Sequence, residues 1–212
     1  MQNIFQAQPT NLLQARWHWL GFLACHTLTA LILACWLWTP SRQWLETLDV
    51  QVFHLLNAPL ATSTLWAQVW AIGSMRLADL GAACIMLGFI IKSGWIFTGI
   101  QVRRALYAFL SVLVLLLLIR VGPFAEAVKL LHWQHSGPSL LVTGAVRLGE
   151  LFPAWDTFWH IKDSSVRSFP GDHASVLLLW VLFLWPSASG WQRLLTVGLS
   201  LLFMMPRLVA GA

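Results

Sequence analysis

The sequence has few charged residues. Asp, Glu, Lys and Arg make up 10% of its 212 residues, whereas soluble domains carry about 25%. Hydrophobic residues make up 58%, and the mean hydropathy is +0.70. This composition excludes an ordinary soluble domain. It indicates an all-α, polytopic membrane protein, a bundle of helices that has membrane lipids as its surroundings.

The sequence also lacks a metal-binding or disulfide pattern. Cys25, Cys35 and Cys84 lie singly inside apolar segments, where small hydrophobic packing is the expected role. The net charge of +5 comes from scattered basic residues, several of them at the ends of apolar runs, where such residues anchor helices and set their orientation. We therefore expect no metal, no cofactor and no nucleic-acid partner, and the sequence does not indicate an oligomeric state.

Long apolar runs predict five spanning helices within one domain of residues 1–212. The first is too long and too rich in Trp for a cleaved signal, so we expect it to remain. A helix at 42–63 has apolar residues at helical spacing and is expected to lie on the membrane interface. Residues 122–172 are expected to form one long loop. The predicted spans are 17–39, 72–91, 105–121, 173–186 and 191–209.

The distribution of Lys and Arg predicts the orientation, because short cytoplasmic loops are enriched in both. The basic residues of the short links and of the N-terminal tail fall on one side, which we assign as cytoplasmic; they are Arg16, Lys92, Arg103, Arg104 and Arg193. The long loop and Arg207 then lie together on the periplasmic or extracellular side. Six residues from three separate regions would meet there: Lys129, Arg147, Lys162, Arg167, His173 and Arg207.

One segment on that side points to phosphate chemistry. The run Ser168-Phe169-Pro170-Gly171-Asp172-His173 opens an apolar stretch, which places His173 and unpaired backbone N–H groups at a helix start, an arrangement that suits an anion. An imidazole titrates near neutral pH and can protonate a leaving oxygen. Arg207, near a second helix end, could hold the same phosphate through a two-pronged contact.

These motifs resemble the type 2 phosphatidic acid phosphatase superfamily, which also includes the vanadium haloperoxidases. That family has a Lys…Arg-Pro motif, a Pro-Ser-Gly-His motif and a Ser-Arg…His…Asp motif. The Ser-Phe-Pro-Gly-Asp-His form, Lys162-Asp163 before it and Pro206-Arg207 after it look most similar to the bacterial, inner-membrane lipid A phosphotransferases that use undecaprenyl diphosphate as donor. The resemblance covers residues from about 45 to 212, and Arg76-x-x-Asp79 and Arg147-x-x-Glu150 are compatible with it.

The resemblance implies roles for individual residues. His173 matches the second-motif His, a general acid for the leaving group, and Arg207 matches the third-motif Arg that holds phosphate. Gly171 stands at the family's Ser position, so only its backbone donor can contact phosphate. Lys129 keeps the Lys of the first motif, but no Arg follows at the expected place. His135, Arg147, Lys162 and Arg167 are open alternatives for that Arg.

The family's nucleophile is the third-motif His, and the resemblance places it just after Ala212. Its supporting Asp and a sixth spanning helix would follow. We therefore expect this sequence to be C-terminally truncated and to lack turnover, either as a fragment or as a naturally shortened, catalytically inactive protein. The implied activity passes through a phospho-histidine, at the periplasmic face of the inner membrane.

Other interpretations stay open. Hydrolysis of a lipid diphosphate and transfer of its phosphate to lipid A differ only in the acceptor, so the motifs do not separate them. A non-catalytic membrane protein that binds lipid phosphates is the alternative from another class. A small transporter is disfavoured because the predicted spans are almost purely apolar. Arg76 and Asp79, three residues apart, are expected to form an ion pair on one helix face.

Overall fold

The protein is built from α-helices. The computed structural model describes residues 18–133, 135–166 and 171–212, and within them the only β-structure is an isolated bridge between Met75 and Ile161. Short 3₁₀ and π segments join some helices. The α-helices are α1 (Trp19–Leu37), α2 (Thr39–Asn57), α3 (Thr64–Gly73), α4 (Arg76–Ile91), α5 (Ile100–Ile119), α6 (Ala125–Leu130), α7 (Pro138–Leu141), α8 (Leu148–Leu151), α9 (Pro153–Trp159), α10 (Asp172–Leu184) and α11 (Gly190–Ala210).

Three helices within the described residues are long and apolar enough to cross a membrane: Trp19–Leu37, Ile100–Leu130 and Gly190–Ala210. The first of them has no buried residue, as expected of a helix that faces lipid. The predicted fourth span is a shorter apolar helix, α10. The membrane class and the all-α fold are thus supported, while the number of five spans remains a prediction.

The predicted second span, 72–91, is wrong as one continuous helix. The chain breaks between α3 and α4, where the Ser74 carbonyl accepts a hydrogen bond of 3.0 Å from the Lys162 N–H and Met75 pairs with Ile161. The Ser74 hydroxyl donates to the Pro206 carbonyl at 3.4 Å. The Ser74 N–H still donates to the Trp70 carbonyl at 2.9 Å, so the helical ladder is interrupted at the Ser74 carbonyl, whose partner is distant in sequence.

The third span and the loop after it also differ from the prediction. The helix begins at Ile100 and continues to Leu130 through a π-helical segment, Arg120–Phe124, which contains Pro123. A local π-bulge is one way a helix accommodates a residue without a backbone N–H. The predicted loop of 122–172 therefore starts later, and it contains the short helices α7, α8 and α9.

The remaining predicted helices agree with the structure. The stretch expected at 42–63 contains α2 and a 3₁₀ turn, Ala58–Ala61; its position on a membrane interface remains a prediction. Helix α11 begins with a capping box, in which Ser189 and Gln192 satisfy each other's backbone N–H groups. Helices α10 and α11 pack against each other along their length, and this pair carries His173 at one of its ends together with Arg207.

Candidate functional site

A polar cavity of about 330 Å³ lies where the first turn of α10 meets the last turn of α11. Three basic side chains are among its lining residues: Arg120, Lys162 and Arg207. Gly171 and His173 line it as well. Of the residues selected from the sequence as candidates for phosphate chemistry, Lys162, Gly171, His173 and Arg207 therefore come together at one place.

His173 faces a carboxylate. Its Nε2 lies 2.9 Å from Oδ1 of Asp79, in the first turn of α4, and the two side chains are 33% and 30% exposed. Because an ionised carboxylate only accepts hydrogen bonds, Nε2 carries the hydrogen in this pair. The imidazole is thus held in one orientation while it stays accessible from the cavity.

Arg207 shares the same carboxylate. Its Nη2 donates to Asp79 Oδ2 at 2.7 Å, and its Nη1 donates to the Lys162 carbonyl at 3.0 Å. The Arg207 side chain is only 10% exposed. These contacts use two of the five N–H donors of the guanidinium, which leaves three for a ligand.

The end of α11 that carries Arg207 is fixed by close packing. A Cβ at Gly73 would lie 2.9 Å from Pro206 Cγ, and a Cβ at Gly211 would lie 2.5 Å from Phe53 Cε2. Gly211 also ends the helix with a φ of +70°, which glycine adopts without strain. Both glycines therefore let neighbouring elements approach the turn that presents Arg207.

Hydrogen bonds from other elements hold the same turn. The Asn57 side chain donates to the carbonyls of Val146 and Val209, each at 3.0 Å, and accepts from the Val146 N–H at 2.8 Å. The Ser139 hydroxyl donates to the Gly211 carbonyl at 2.8 Å. Buried polar groups with such partners are costly to remove, so the position of Arg207 is set by the fold.

Two residues selected from the sequence lie in ion pairs of their own. Lys129 Nζ is 2.6 Å from Glu126 Oε1 on α6, and Arg147 Nη1 is 3.2 Å from Glu150 Oε1 beside α8. Neither is among the residues that line the polar cavity. Their assignment to phosphate binding stays a prediction. Among the alternatives for the missing Arg that the structure describes, Lys162 lines this cavity.

The other two alternatives for the missing first-motif Arg are His135 and Arg167. His135 lines a neighbouring cavity of about 220 Å³, which also includes Arg207 and Ala212. Arg167, together with Ser168, Phe169 and Pro170, lies outside the described residues.

Asp79 contacts two of the candidate residues, although the sequence analysis did not place it at the site. The expectation of an Arg76–Asp79 ion pair is wrong, because Asp79 pairs with His173 and Arg207. A signal was present: an acid within an apolar segment of a membrane protein is a candidate functional residue by default. Arg120, expected only to flank a span, was missed in the same way and lines the cavity.

The arrangement suits an anion. Within the described residues, no group of three or more His, Cys, Asp or Glu side chains could hold a metal. The basic side chains and the N-terminal end of α10 provide positive charge and N–H donors, which is what a phosphate group requires.

One comparison with known proteins agrees with a site for a phosphate-bearing ligand. Over 169 residues, the chain is 27% identical to the lipid A 1-diphosphate synthase of Escherichia coli (strain K12), a match that covers 80% of this chain and 67% of that protein. No family model and no solved structure matches the chain. The similarity supports a relationship to a lipid-modifying enzyme, whereas membership of the type 2 phosphatidic acid phosphatase superfamily remains a prediction.

Proposed function

We propose that this protein is a multi-pass inner-membrane lipid phosphatase or phosphotransferase. Its substrate would be undecaprenyl diphosphate or lipid A, taken at the periplasmic face. The observation that supports this most is the convergence of His173, Arg207 and Lys162 on one cavity. The similarity to a lipid A 1-diphosphate synthase agrees with that chemistry.

In the proposed complex, the diphosphate lies in the polar cavity. Arg207 offers a planar fork to the phosphoryl group that is transferred, which a lysine cannot reproduce. Lys162 and the backbone N–H groups that follow Gly171 add positive charge and neutral donors. Positioning and charge neutralisation supply most of the catalysis in phosphoryl transfer, and this site offers both.

The transfer itself would proceed through a phospho-histidine. The nucleophile attacks the terminal phosphorus, the bond to the bridging oxygen breaks, and the departing lipid phosphate takes a proton from His173. Water or a lipid A phosphate then accepts the phosphoryl group from the phospho-histidine. General acids of this kind contribute roughly 10²–10⁴ in rate. By resemblance, the nucleophile would be the family's third-motif histidine.

Asp79 has a role in the ligand-free site. Its carboxylate contacts both His173 and Arg207, so it neutralises two groups that a phosphate would otherwise contact. An incoming diphosphate competes with this internal carboxylate for Arg207 and for the imidazole. We therefore expect Asp79 to hold the two residues in place and at the same time to weaken anion binding.

The test uses the 212-residue protein in detergent with radiolabelled undecaprenyl diphosphate. We expect the lipid to bind to the wild type and to bind more weakly to the Arg207→Ala variant, which lacks the planar guanidinium. Equal binding by the two proteins would overturn the assignment of Arg207 to the phosphate. Absence of lipid binding, with the helical content unchanged, would overturn the proposed function as a whole.

A further inference from the structure

Arg120 is a charged residue inside a long apolar helix. It lies in the segment Ile100–Leu130, which is apolar enough to cross a membrane, and neither residues 105–119 nor residues 121–125 contain a charged side chain. A cation inside such a segment is costly, so it usually faces a water-filled cavity or the interior of a bundle, where it marks a path for a substrate or an ion. Arg120 is half-buried and lines the polar cavity, which is the position expected of a functional residue.

The backbone at Arg120 departs from the α-helix. Arg120 begins the π-helical segment Arg120–Phe124, and its carbonyl accepts a hydrogen bond from the N–H of Ala125, five residues further along the chain. Pro123 lies within this segment and has no N–H to donate. Single-turn π-helical segments inside α-helices occur frequently at functional sites. The local backbone at Arg120 is therefore of a kind that functional sites often use.

Arg120 and Arg207 reach the polar cavity from different helices. Helix α5, which continues into the segment that carries Arg120, packs against α4 and α10, whereas α11 packs against α2, α3 and α10. The Nη atoms of Arg207 contact Asp79 and the Lys162 carbonyl, so Arg120 adds a guanidinium from a further element. A guanidinium can bind one phosphoryl group through two parallel hydrogen bonds. Two arginines on separate helices therefore suit a ligand that has two phosphoryl groups.

We propose that Arg120 is a second phosphate-binding arginine of the polar cavity and makes the site select a diphosphate over a monophosphate. Arg120 contacts the phosphoryl group that departs with the lipid, and Arg207 contacts the group that is transferred. The inference rests on the proposed function, because it takes the polar cavity as the diphosphate site. It goes further because Arg120 lies outside the motifs on which the resemblance rests, and because it assigns the preference for a diphosphate to one side chain.

The experiment is a calorimetric titration of the full chain in detergent, with inorganic diphosphate and inorganic phosphate as separate ligands. The variants are Arg120→Ala and Arg120→Gln, and the second keeps a polar side chain of similar length in case the first does not fold. Circular dichroism measures the helical content of each. The matched control is Arg104→Ala, on the same helix, which removes the same charge from an exposed residue that does not line the polar cavity.

We expect the wild type to bind diphosphate more tightly than phosphate. The Arg120 variants should bind diphosphate at least about tenfold more weakly, as expected for the loss of a hydrogen bond between charged groups. They should lose less affinity for phosphate, because Arg207 and Lys162 remain to hold a single phosphoryl group. Arg104→Ala should keep both affinities.

Three results would overturn this inference: an unchanged diphosphate affinity in a folded Arg120 variant, an equal loss for both anions, or a wild type that does not distinguish the two anions. Failure of the wild type to bind either anion would instead overturn the proposed function.

Discussion

Helix α11 carries an arginine near each end, and the two are held in different ways. Arg193 donates from Nε to the Trp185 carbonyl at 3.0 Å, and its guanidinium lies 5.3 Å from the centre of the Trp185 ring. Both contacts hold α11 against Trp185, the residue that follows α10. Arg207 instead pairs with a carboxylate that also contacts His173, at the border of a cavity. Both arginines donate to a backbone carbonyl, but Arg207 also pairs with a carboxylate for which a ligand can compete.

The same contrast holds for the uncharged polar groups at the two ends. Near Arg193, Gln192 donates to the Trp95 carbonyl at 2.8 Å and accepts from the Ser189 N–H at 2.7 Å. Near Arg207, the Lys162 carbonyl and the Asp79 carboxylate accept from side chains that a phosphate can also contact. Satisfied polar groups such as Gln192 stabilise a fold, whereas His173 and Arg207 share a single carboxylate and line a cavity.

The prediction with the largest expected effect is that the Arg193 end and the Arg207 end of α11 lie on opposite sides of the membrane. In a background without native cysteines, we expect Leu140→Cys to react with an impermeant thiol reagent in intact spheroplasts and Ile100→Cys to stay unlabelled. Both side chains are solvent-accessible in the isolated protein, at 37% and 75%. The reason is the concentration of Lys and Arg near residue 100.

After lysis, both introduced cysteines should be labelled, which serves as the control for reactivity. Labelling at position 100 and not at 140 in intact spheroplasts would reverse the orientation and place the polar cavity in the cytoplasm.

A smaller effect is expected at the Arg193 end. Gln192→Ala should lower the free energy of unfolding by about 1–3 kcal/mol, because it leaves the Trp95 carbonyl and the Ser189 N–H without their partner. The affinity for inorganic diphosphate should not change. Denaturation in detergent, followed by circular dichroism, measures the first quantity, and calorimetry measures the second.

Gln43→Ala, at an exposed position of α2, is the control and should leave stability near that of the wild type. If Gln192→Ala weakened diphosphate binding in the folded protein, the separation of the two ends into a structural end and a binding end would be wrong.

The smallest effect is expected at Asp79. Asp79→Asn removes a negative charge that competes with the ligand for Arg207 and His173, and we expect inorganic diphosphate to bind several-fold more tightly. A unit charge at 4 Å is worth about 1 kcal/mol in water and more in a protein, and about 1.4 kcal/mol is tenfold in affinity. Calorimetric titration of the variant gives the comparison.

Glu46→Gln removes a carboxylate that is paired with Arg42 on α2 and should leave the affinity unchanged. Much weaker binding by Asp79→Asn would mean that positioning of Arg207 by Asp79 outweighs the competition between carboxylate and ligand.

The sequence predicted the membrane class and the helices, and it selected His173 and Arg207 as neighbouring candidates. Each of these predictions depends on local pattern. Apolar runs predict helices directly, and the Pro-Gly-Asp-His motif predicts a helix start. The role of Asp79 did not follow, since its partners lie 94 and 128 residues further along the chain. Spacing within one helix favoured Arg76, and tertiary packing supplied different partners.

The breaks in the helices could not be predicted for a related reason. The Ser74 carbonyl leaves the helical ladder because the Lys162 N–H offers it another hydrogen bond. The third span continues past Pro123 because a π-helical segment accommodates that residue. Hydropathy records how apolar a segment is, and it contains no information on partners contributed by distant segments.

The central claim is that Arg207, and not basic charge in general, makes the polar cavity a diphosphate site. Calorimetric titration of the full chain in detergent with inorganic diphosphate tests this most directly, comparing Arg207→Ala with Arg193→Ala. Since a hydrogen bond to a charged group contributes about 1.5–3 kcal/mol, we expect Arg207→Ala to bind at least about tenfold more weakly and Arg193→Ala to bind like the wild type. Equal affinities of the wild type and Arg207→Ala, or an equal loss in both variants, would contradict the account.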